Sequence, residues 1–429
     1  MTKTPEDGYL VPKAQAHFAM VLLFLLMVFD FVDRQIISAL LPSIKAEWSL
    51  SDTQLGLLVS VVNISIAVLA LPTAAIVDRW SRTRSIATMA VLWSCATGMG
   101  AFATNFFQLL TARLLVGAGE AGYSSGGTAL LSALYPKRLR GTVVGIFQSG
   151  AMIGTVIGAV LGGVIAAHWG WRHAFGVVAI PGLLLALLAY FIKDYKTVPV
   201  SVAGNGSQAR HDVSWGEVLG MILRKPVLVT LFIAQSAQLF FVATLGNWLP
   251  SFLHRVHELP IDKAGIRTGM ILILSALGTA IGGFLVDKLV GKKLQGRLWG
   301  ACVFALLTSA LFATAFSLPT GTQQNALLFA GAFFMLAALG PVLAAVVDLV
   351  HPGMRASALG MLTVFTNVFG MALGPLAGGF LSDRYDLQTA LFIISFVPLL
   401  AAVGYALTAR GYERARVGEQ TEGFGAAAA

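Results

Sequence analysis

Apolar runs of about 20 residues recur along the whole chain, and this feature limits the possible folds more than any other. As an α-helix, a run of that length crosses the roughly 30 Å hydrocarbon layer of a bilayer. Only 11% of the 429 residues are charged, whereas soluble domains have about 25%. The sequence therefore excludes a soluble enzyme and predicts an all-α, multi-pass membrane protein. It also excludes a β-barrel, because barrel strands alternate over about 10 residues and these runs are continuous.

We divide the apolar runs into twelve predicted spans, numbered in chain order. They cover residues 17–41, 52–77, 85–104, 107–134, 142–167, 173–192, 226–253, 264–286, 297–317, 325–349, 356–381 and 389–409. The long connection 193–225 predicts a cytoplasmic linker between an N-terminal six-helix bundle, 1–192, and a C-terminal bundle, 226–410. We expect the tail 411–429 to be cytoplasmic and disordered.

The distribution of basic residues predicts the orientation of the chain in the membrane. Of the 29 Lys and Arg residues, 21 fall on the side of the N-terminus, 6 fall on the other side, and 2, Arg34 and Arg113, lie deep within spans; residues at a span end are counted with the adjacent side. Basic residues are concentrated in short cytoplasmic loops of membrane proteins. We therefore expect an inner-membrane protein with both termini in the cytoplasm.

Four short motifs of the first half recur in the second half in the same order. The pairs are Leu41-Pro42-Ser43 with Leu249-Pro250-Ser251, Asp78-Arg79 with Asp287-Lys288, Tyr135-Pro136 before Arg140 with His351-Pro352 before Arg355, and Gly154-x3-Gly158-Ala159-x2-Gly162-Gly163 with Gly370-x3-Gly374-Pro375-x2-Gly378-Gly379. Small residues at such spacings pack helices in many membrane proteins. Their ordered recurrence indicates duplication, and parallel repeats of this kind are typical of alternating-access transporters.

The motifs resemble those of the major facilitator superfamily over nearly the whole chain. The loop after span 2, Ala74-x3-Asp78-Arg79-x-Ser81-Arg82-x-Arg84, is similar to the family's loop signature, with Ala and Ser where glycines are usual. The resemblance implies two pseudo-symmetric six-helix bundles. We predict a gating latch of acidic and basic residues at the cytoplasmic ends of the helices. Its members are Asp78, Arg79, Asp287, Lys288, Arg140, Arg355 and Asp348.

A narrower resemblance points to bacterial spinster-type proteins. It rests on Asp33-Arg34 in span 1, the Ser51-Asp52-Thr53-Gln54 opening of span 2, and Ala112-Arg113-x6-Glu120-Ala121-Gly122 in span 4. The chain has Asp30 where this family usually has Asn. The resemblance implies transport of sphingolipids or lysophospholipids.

Five charged residues of the first half fall inside predicted spans and away from the span ends: Asp30, Asp33, Arg34, Arg113 and Glu120. A charge at the bilayer centre costs roughly 2.5–3.5 kcal/mol on insertion scales, so such residues are candidates for function. Arg113 and Glu120 are two helical turns apart and share a face. We expect the five to converge as a proton-coupling or substrate site; the alternative is a static salt-bridge network that fixes span 1 against span 4.

Uncharged polar and aromatic residues are the remaining candidates for the cavity. They are Asn63, Gln235, Gln238, Asn247, Trp248, Thr366 and Asn367. Gly246 and Pro250 bracket Asn247 and Trp248, and an interrupted helix of this kind marks either a gate or an ordinary kink.

These observations together predict a proton-coupled secondary transporter, not an enzyme. No phosphate-binding G-x4-G-K-[ST] motif occurs, so ATP-driven transport is not expected. No metal, other cofactor or nucleic-acid partner is expected, and the predicted protein is a monomer that meets its cargo, protons and membrane lipids. The favoured cargo is an amphiphilic lipid. The alternatives are a small organic anion or drug, with Arg34 and Arg113 clamping a carboxylate, and a non-transporting receptor.

Overall fold

A computed structural model describes residues 9–79, 81–136, 138–192, 220, 225–290, 294–350 and 355–411. Within these ranges the structure is helical and contains no strand. Each of the twelve predicted spans is helical, and ten helices in the described part are long and apolar enough to cross a membrane. The all-α membrane fold is therefore confirmed. Most of the predicted linker and tail lies outside the described residues.

The helices of the first half follow the predicted spans closely. They are Lys13–Trp48, Asp52–Arg79, Arg82–Ala101, Phe106–Glu120, Tyr123–Leu134, Arg140–Trp169 and Trp171–Ala189. Those of the second half are Pro226–Arg255, Ile261–Val290, Leu294–Ser317, Thr322–Met335, Leu339–Leu349, Arg355–Phe365, Leu373–Arg384 and Leu387–Ile394, the last continued by a helix over 397–411.

Four spans that the hydropathy pattern predicts as single helices are interrupted, and one of them, span 12, breaks at Ser395 and Phe396. Span 4 breaks at Ala121 and Gly122, and span 10 breaks over residues 336–338. Span 11 contains a π-helical stretch, Thr366–Ala372. Such local changes of helical type are frequent at functional sites. An apolar run carries no signal for them, because a break in hydrogen bonding does not require a break in hydropathy.

Short polar motifs cap the starts of several helices. Span 2 begins with a capping box, in which Gln54 N–H donates to Ser51 Oγ at 3.1 Å and Ser51 N–H donates to Gln54 Oε1 at 2.9 Å. The final span begins with a cap in which Asp386 Oδ1 accepts from the N–H of Thr389 at 2.9 Å. These caps satisfy backbone donors that a helix start leaves free, so the chain can turn sharply between spans.

The duplicated glycine motifs pack against equivalent helices. A Cβ at Gly158 would lie 2.7 Å from the carbonyl oxygen of Val32, and one at Gly374 would lie 2.5 Å from that of Phe240. Val32 and Phe240 are separated along the chain by the same number of residues as the duplicated prolines Pro42 and Pro250. Span 5 therefore packs on span 1 as span 11 packs on span 7, which supports the duplication.

The described residues form two compact units. One unit holds spans 1–6 together with Gly246–Met270, and the other holds span 7 up to Leu245 and the chain from Ile271 onward. Each unit has its own apolar core, one around Trp93 and Phe147 and the other around Phe232 and Tyr405. The predicted division into bundles 1–192 and 226–410 stays a prediction.

Candidate functional site

The first part of the candidate site lies on one face of span 1. Asp30 and Arg34 are one helical turn apart, and Arg34 Nε donates to Asp30 Oδ1 at 2.9 Å. The Arg34 guanidinium also lies over the ring of Phe31, 4.9 Å from its centroid. Asp30 is 1% exposed, whereas 23% of the Arg34 side chain is exposed. Arg34 is thus the most accessible charge of the group.

Span 4 supplies a second arginine to the site. Arg113 Nη1 donates to both carboxylate oxygens of Asp33, at 3.2 and 3.3 Å. Neither side chain is more than 2% exposed. Because isolated charges are costly in an apolar interior, each of these two ions requires the other. The pair fixes span 1 to span 4.

Glu120 completes the group at the last residue before the break in span 4. Its Oε2 lies 3.1 Å from Arg34 Nε, the same nitrogen that contacts Asp30. Its side chain is fully buried, and neither of its oxygens accepts a well-aligned hydrogen bond from the residues that the structure describes. Glu120 is therefore the least satisfied carboxylate of the site.

The structure thus brings together all five charged residues that the sequence singles out, and we call them the buried charge cluster. It contains three carboxylates, those of Asp30, Asp33 and Glu120, and two guanidiniums. With every group ionised, the cluster carries one negative charge in excess. Binding one proton balances it, and the carboxylate with the weakest contacts is the natural acceptor.

An aromatic pair supports the broken part of span 4. The Tyr123 hydroxyl donates to the carbonyl of Leu23 in span 1 at 2.6 Å, and its ring meets the edge of Trp93 with centroids 5.0 Å apart. Both residues are buried. The sequence analysis missed Tyr123, because an aromatic residue in an apolar run resembles ordinary core. Its position directly after Glu120-Ala121-Gly122 is the only available signal.

The family of this protein is shown by a sequence match that extends far beyond the residues of this site. The family model described as Major Facilitator Superfamily matches residues 23–375. The chain belongs to the Major Facilitator Superfamily. It is a multi-pass secondary transporter rather than an enzyme.

The proteins to which this chain is similar include a hexuronate transporter and spinster-type proteins. A hexuronate transporter of Bacillus subtilis is 29% identical over 383 residues, 87% of this chain and 89% of that protein. Protein spinster of Drosophila melanogaster is 27% identical over 380 residues, 85% of this chain and 62% of that protein. A crystal structure of a bacterial homologue of the human lysosomal transporter spinster superposes with a TM-score of 0.85, at 22% identity, covering 95% and 99% of the two chains. The predicted resemblance to spinster-type proteins is confirmed.

In the second half of this superfamily member, uncharged polar residues occupy the region that is equivalent to the buried charge cluster. Gln238 corresponds to Asp30 in the duplication, and its Nε2 donates to the carbonyl of Met335 at 2.8 Å, where span 10 breaks. Gln235 accepts a hydrogen bond from the Tyr405 hydroxyl at 2.8 Å. These two glutamines are buried in the second unit. Charge is therefore confined to one of two equivalent positions.

The remaining predicted cavity residues do not form one set. Asn247 accepts a hydrogen bond from Ser38 Oγ, and Trp248 is fully buried beside it in sequence. Asn367 donates to the carbonyl of Thr363 at 2.8 Å within the π-helical region, and Thr366 does so at 3.0 Å. Asn63, which lies in span 2, is buried.

The predicted latch is only partly visible. Asp78, Arg79 and Asp287 lie in helices, but their side chains fall outside the described part of the structure. Lys288, Asp348 and Arg355 are exposed. Two equivalent basic residues brace the chain at the start of their helices: Arg140 Nε donates to the Tyr135 carbonyl at 3.2 Å, and Arg355 Nε donates to the Val347 carbonyl at 3.1 Å. The latch itself stays a prediction.

Proposed function

We propose that the protein is a proton-coupled transporter that works by alternating access and moves an amphiphilic lipid, such as a lysophospholipid or a sphingolipid. The observation that carries this proposal is the composition of the buried charge cluster, with three carboxylates against two guanidiniums. We also propose an inner-membrane location with both termini in the cytoplasm, and this part of the proposal rests on the distribution of Lys and Arg.

Proton coupling is assigned to Glu120. Arg34 holds Asp30 at 2.9 Å and Glu120 at 3.1 Å through one nitrogen, so a small movement of span 1 against span 4 can change which carboxylate it neutralises. A buried carboxylate that loses its counter-charge binds a proton, because the neutral acid is less costly in an apolar environment. Movement and proton binding are thereby linked.

The same arrangement favours an amphiphile over a simple anion. Both guanidiniums already contact carboxylates, so a substrate carboxylate would have to displace one of them. A headgroup with a positive amine instead suits the excess negative charge. Charged residues occur in spans 7–12 only near the span ends, at Arg267, Arg297 and Asp348, which leaves apolar surface for an acyl chain.

A small organic anion is the second candidate cargo. The similarity to a hexuronate transporter favours it, because a hexuronate carries a carboxylate. Arg34 is the residue suited to that role, since 23% of its side chain is exposed while Arg113 is buried against Asp33. In this case a bound carboxylate would take the place of Glu120 beside Arg34.

Transport in proteoliposomes distinguishes the two cargoes. Purified protein is reconstituted with an imposed pH gradient and supplied in parallel with a lysophospholipid, a sphingoid base and a hexuronate. We expect gradient-dependent movement of an amphiphile that the hexuronate does not inhibit. Movement of hexuronate alone would replace the lipid assignment by the organic-anion one, and movement of either without any response to the gradient would remove proton coupling.

The proposed orientation and monomeric state have their own checks. Reporter fusions to the C-terminus and to the connection after span 1 should report cytoplasmic and external positions respectively. Light scattering of the purified protein in detergent should give the mass of one 45.2 kDa chain after subtraction of the micelle.

A further inference from the structure

The two duplicated glycine motifs are preceded by helical segments of different length. Gly145 of span 5 and Gly360 of span 11 each lie five residues after the duplicated arginine at the start of their helix. From Gly145 to Gly154 the chain advances nine residues, whereas from Gly360 to Gly370 it advances ten. Beyond this point the spacings of the two motifs agree again. Span 11 therefore contains one residue more than span 5 between these glycines.

The pattern of buried positions locates the extra residue. Phe147 and Leu362 each lie two residues after the first glycine of the interval, and both are buried. Gly150 and Thr366 each lie four residues before the second glycine, and both are again buried. The two helices thus present equivalent faces to their cores on both sides of the interval. The additional residue of span 11 lies within 363–365.

The type of helix differs between the two spans at this place. Span 5 is one continuous α-helix, Arg140–Trp169, whereas span 11 becomes π-helical over Thr366–Ala372. A π-helical hydrogen bond encloses one residue more than an α-helical one. The π-helical stretch is therefore the means by which span 11 accommodates its extra residue.

The parts of span 11 on the two sides of the extra residue are anchored separately. Before it, Leu362 belongs to the apolar core of the second unit, and the ring of Phe365 meets that of Phe232 in span 7 with centroids 5.6 Å apart. After it, a Cβ at Gly370 would lie 3.0 Å from the carbonyl oxygen of Ser236 in span 7. Because both parts keep the packing of their counterparts in span 5, the mismatch is concentrated between them.

Two side chains stabilise the start of the π-helical stretch. Asn367 Nδ2 donates to the carbonyl of Thr363 at 2.8 Å, and Thr366 Oγ1 donates to the same carbonyl at 3.0 Å. Where hydrogen bonding changes from one helical spacing to another, a carbonyl loses its regular backbone donor, and lipid offers no replacement. Thr366 and Asn367, which the sequence suggested as cavity residues, are placed to supply that donor.

We propose that the extra residue of span 11 forms a register hinge, at which the segment up to Phe365 turns relative to the segment from Gly370 onward during the transport cycle. One residue corresponds to about 100° of helical turn. A helix with one residue in excess can place its π-helical stretch at more than one position, because each position disturbs a similar number of hydrogen bonds. The glycine contacts with span 7 then stay closed while the segment before them turns. The proposal rests on the conformational cycle of the proposed function, but not on its cargo or on proton coupling.

Distances between two spin labels on the same helix test the hinge. With both native cysteines replaced by alanine, one pair of labels is attached to Thr363→Cys and Arg384→Cys in span 11. The equivalent pair in span 5 is Gln148→Cys and His168→Cys, and all four positions are exposed. We expect two distances for the pair in span 11 and one distance for the pair in span 5, which lacks the extra residue.

Two variants separate a hinge from a static irregularity. Thr366→Val combined with Asn367→Leu removes both side-chain donors to the Thr363 carbonyl. It should raise the population of the second distance about fivefold or more, the effect of losing one or two ordinary hydrogen bonds. Deletion of Val364 gives span 11 the length of span 5 and should remove the second distance. Thermal unfolding in detergent shows which variants are folded.

The same measurements can overturn the proposal. A single, unchanged distance for the span 11 pair in both the parent and the Thr366→Val, Asn367→Leu variant would do so. A second distance that persists in a folded Val364 deletion, or that appears equally in the span 5 pair, would do so too. If the deletion does not fold, the double variant and the span 5 pair still decide the question. None of these outcomes depends on the cargo, so failure of the hinge is distinct from failure of the lipid assignment.

Discussion

Glu120 lies 3.1 Å from a nitrogen of Arg34 that Asp30 already engages at 2.9 Å. Two buried carboxylates thus share one cation, and the sharing makes the protonation of one depend on the position of the other. A static brace between spans 1 and 4 would need only the Asp33–Arg113 pair. The excess carboxylate is the part of the cluster that a structural role leaves unexplained.

Glu120→Gln is expected to abolish accumulation driven by a pH gradient while substrate exchange continues. The amide keeps the shape of the side chain but cannot bind and release a proton. Asp33→Asn should have the same effect if the cluster titrates as a unit. The measurement is transport in proteoliposomes, normalised to folded protein, with and without the gradient. Full gradient-driven activity in both variants would contradict a proton role, and the exposed Glu258→Gln serves as the control.

Arg113→Gln is expected to destabilise the protein by about 3–5 kcal/mol, because it leaves Asp33 as an unpaired buried charge. The double variant Arg113→Gln with Asp33→Asn should recover much of that loss, since it removes both charges. Thermal unfolding in detergent, followed by tryptophan fluorescence, gives the comparison. If the single variant were as stable as the parent, the pair would not be the structural anchor that its burial indicates.

Gly374→Ala is expected to cost about 1–3 kcal/mol of stability, because the new Cβ would lie 2.5 Å from the Phe240 carbonyl and would push span 11 away from span 7. Gly145→Ala is the matched control, since nothing lies within 4 Å of its Cβ position. That change should be neutral or slightly stabilising in a helix. Equal stability of the two variants in the same unfolding assay would argue against the close approach.

Asp78→Asn is expected to shift the distribution of conformations by weakening the predicted latch, while the fold is kept. The reason is the duplicated acidic–basic motif, Asp78-Arg79 and Asp287-Lys288. Distances between spin labels on the ends of spans 2 and 11 that face the Asp78 loop measure the shift. A distribution that matches the parent would count against the latch.

Asp386→Ala is expected to lower stability at neutral pH by about 1 kcal/mol through loss of a helix cap. Burial alone would raise the pKa of Asp386, but hydrogen bonds from the Thr389 hydroxyl and from the backbone N–H groups of Thr389 and Gln388 outweigh it and hold the pKa below its usual value. The charged cap therefore contributes fully above the pKa of an unfolded Asp, and its contribution is lost as pH falls through the lowered folded pKa. The free energies of unfolding of Asp386→Ala and the parent should become equal as the pH is lowered. Asp386→Asn should keep most of the stability that the cap contributes.

The sequence by itself determined the class of the protein and the members of its candidate site. Twelve apolar runs required twelve helical segments, because a bilayer supplies no water to satisfy an unfolded backbone. The same reasoning singled out Asp30, Asp33, Arg34, Arg113 and Glu120, since a charge inside an apolar run is costly wherever the run lies. The seven-residue spacing of Arg113 and Glu120 also put both on one helix face, which is a local property.

Only the tertiary structure decided which charges meet. The sequence does not say that Arg113 pairs with Asp33 while Arg34 serves Asp30 and Glu120, because this depends on how spans 1 and 4 are rotated against each other. The sequence also did not predict the contact of Asp52 with Arg255, the breaks in spans 4 and 10, or the π-helical stretch of span 11. Periodicity fixes the face that a residue occupies on its own helix, whereas the partner across the interface is set by packing between segments far apart in the chain.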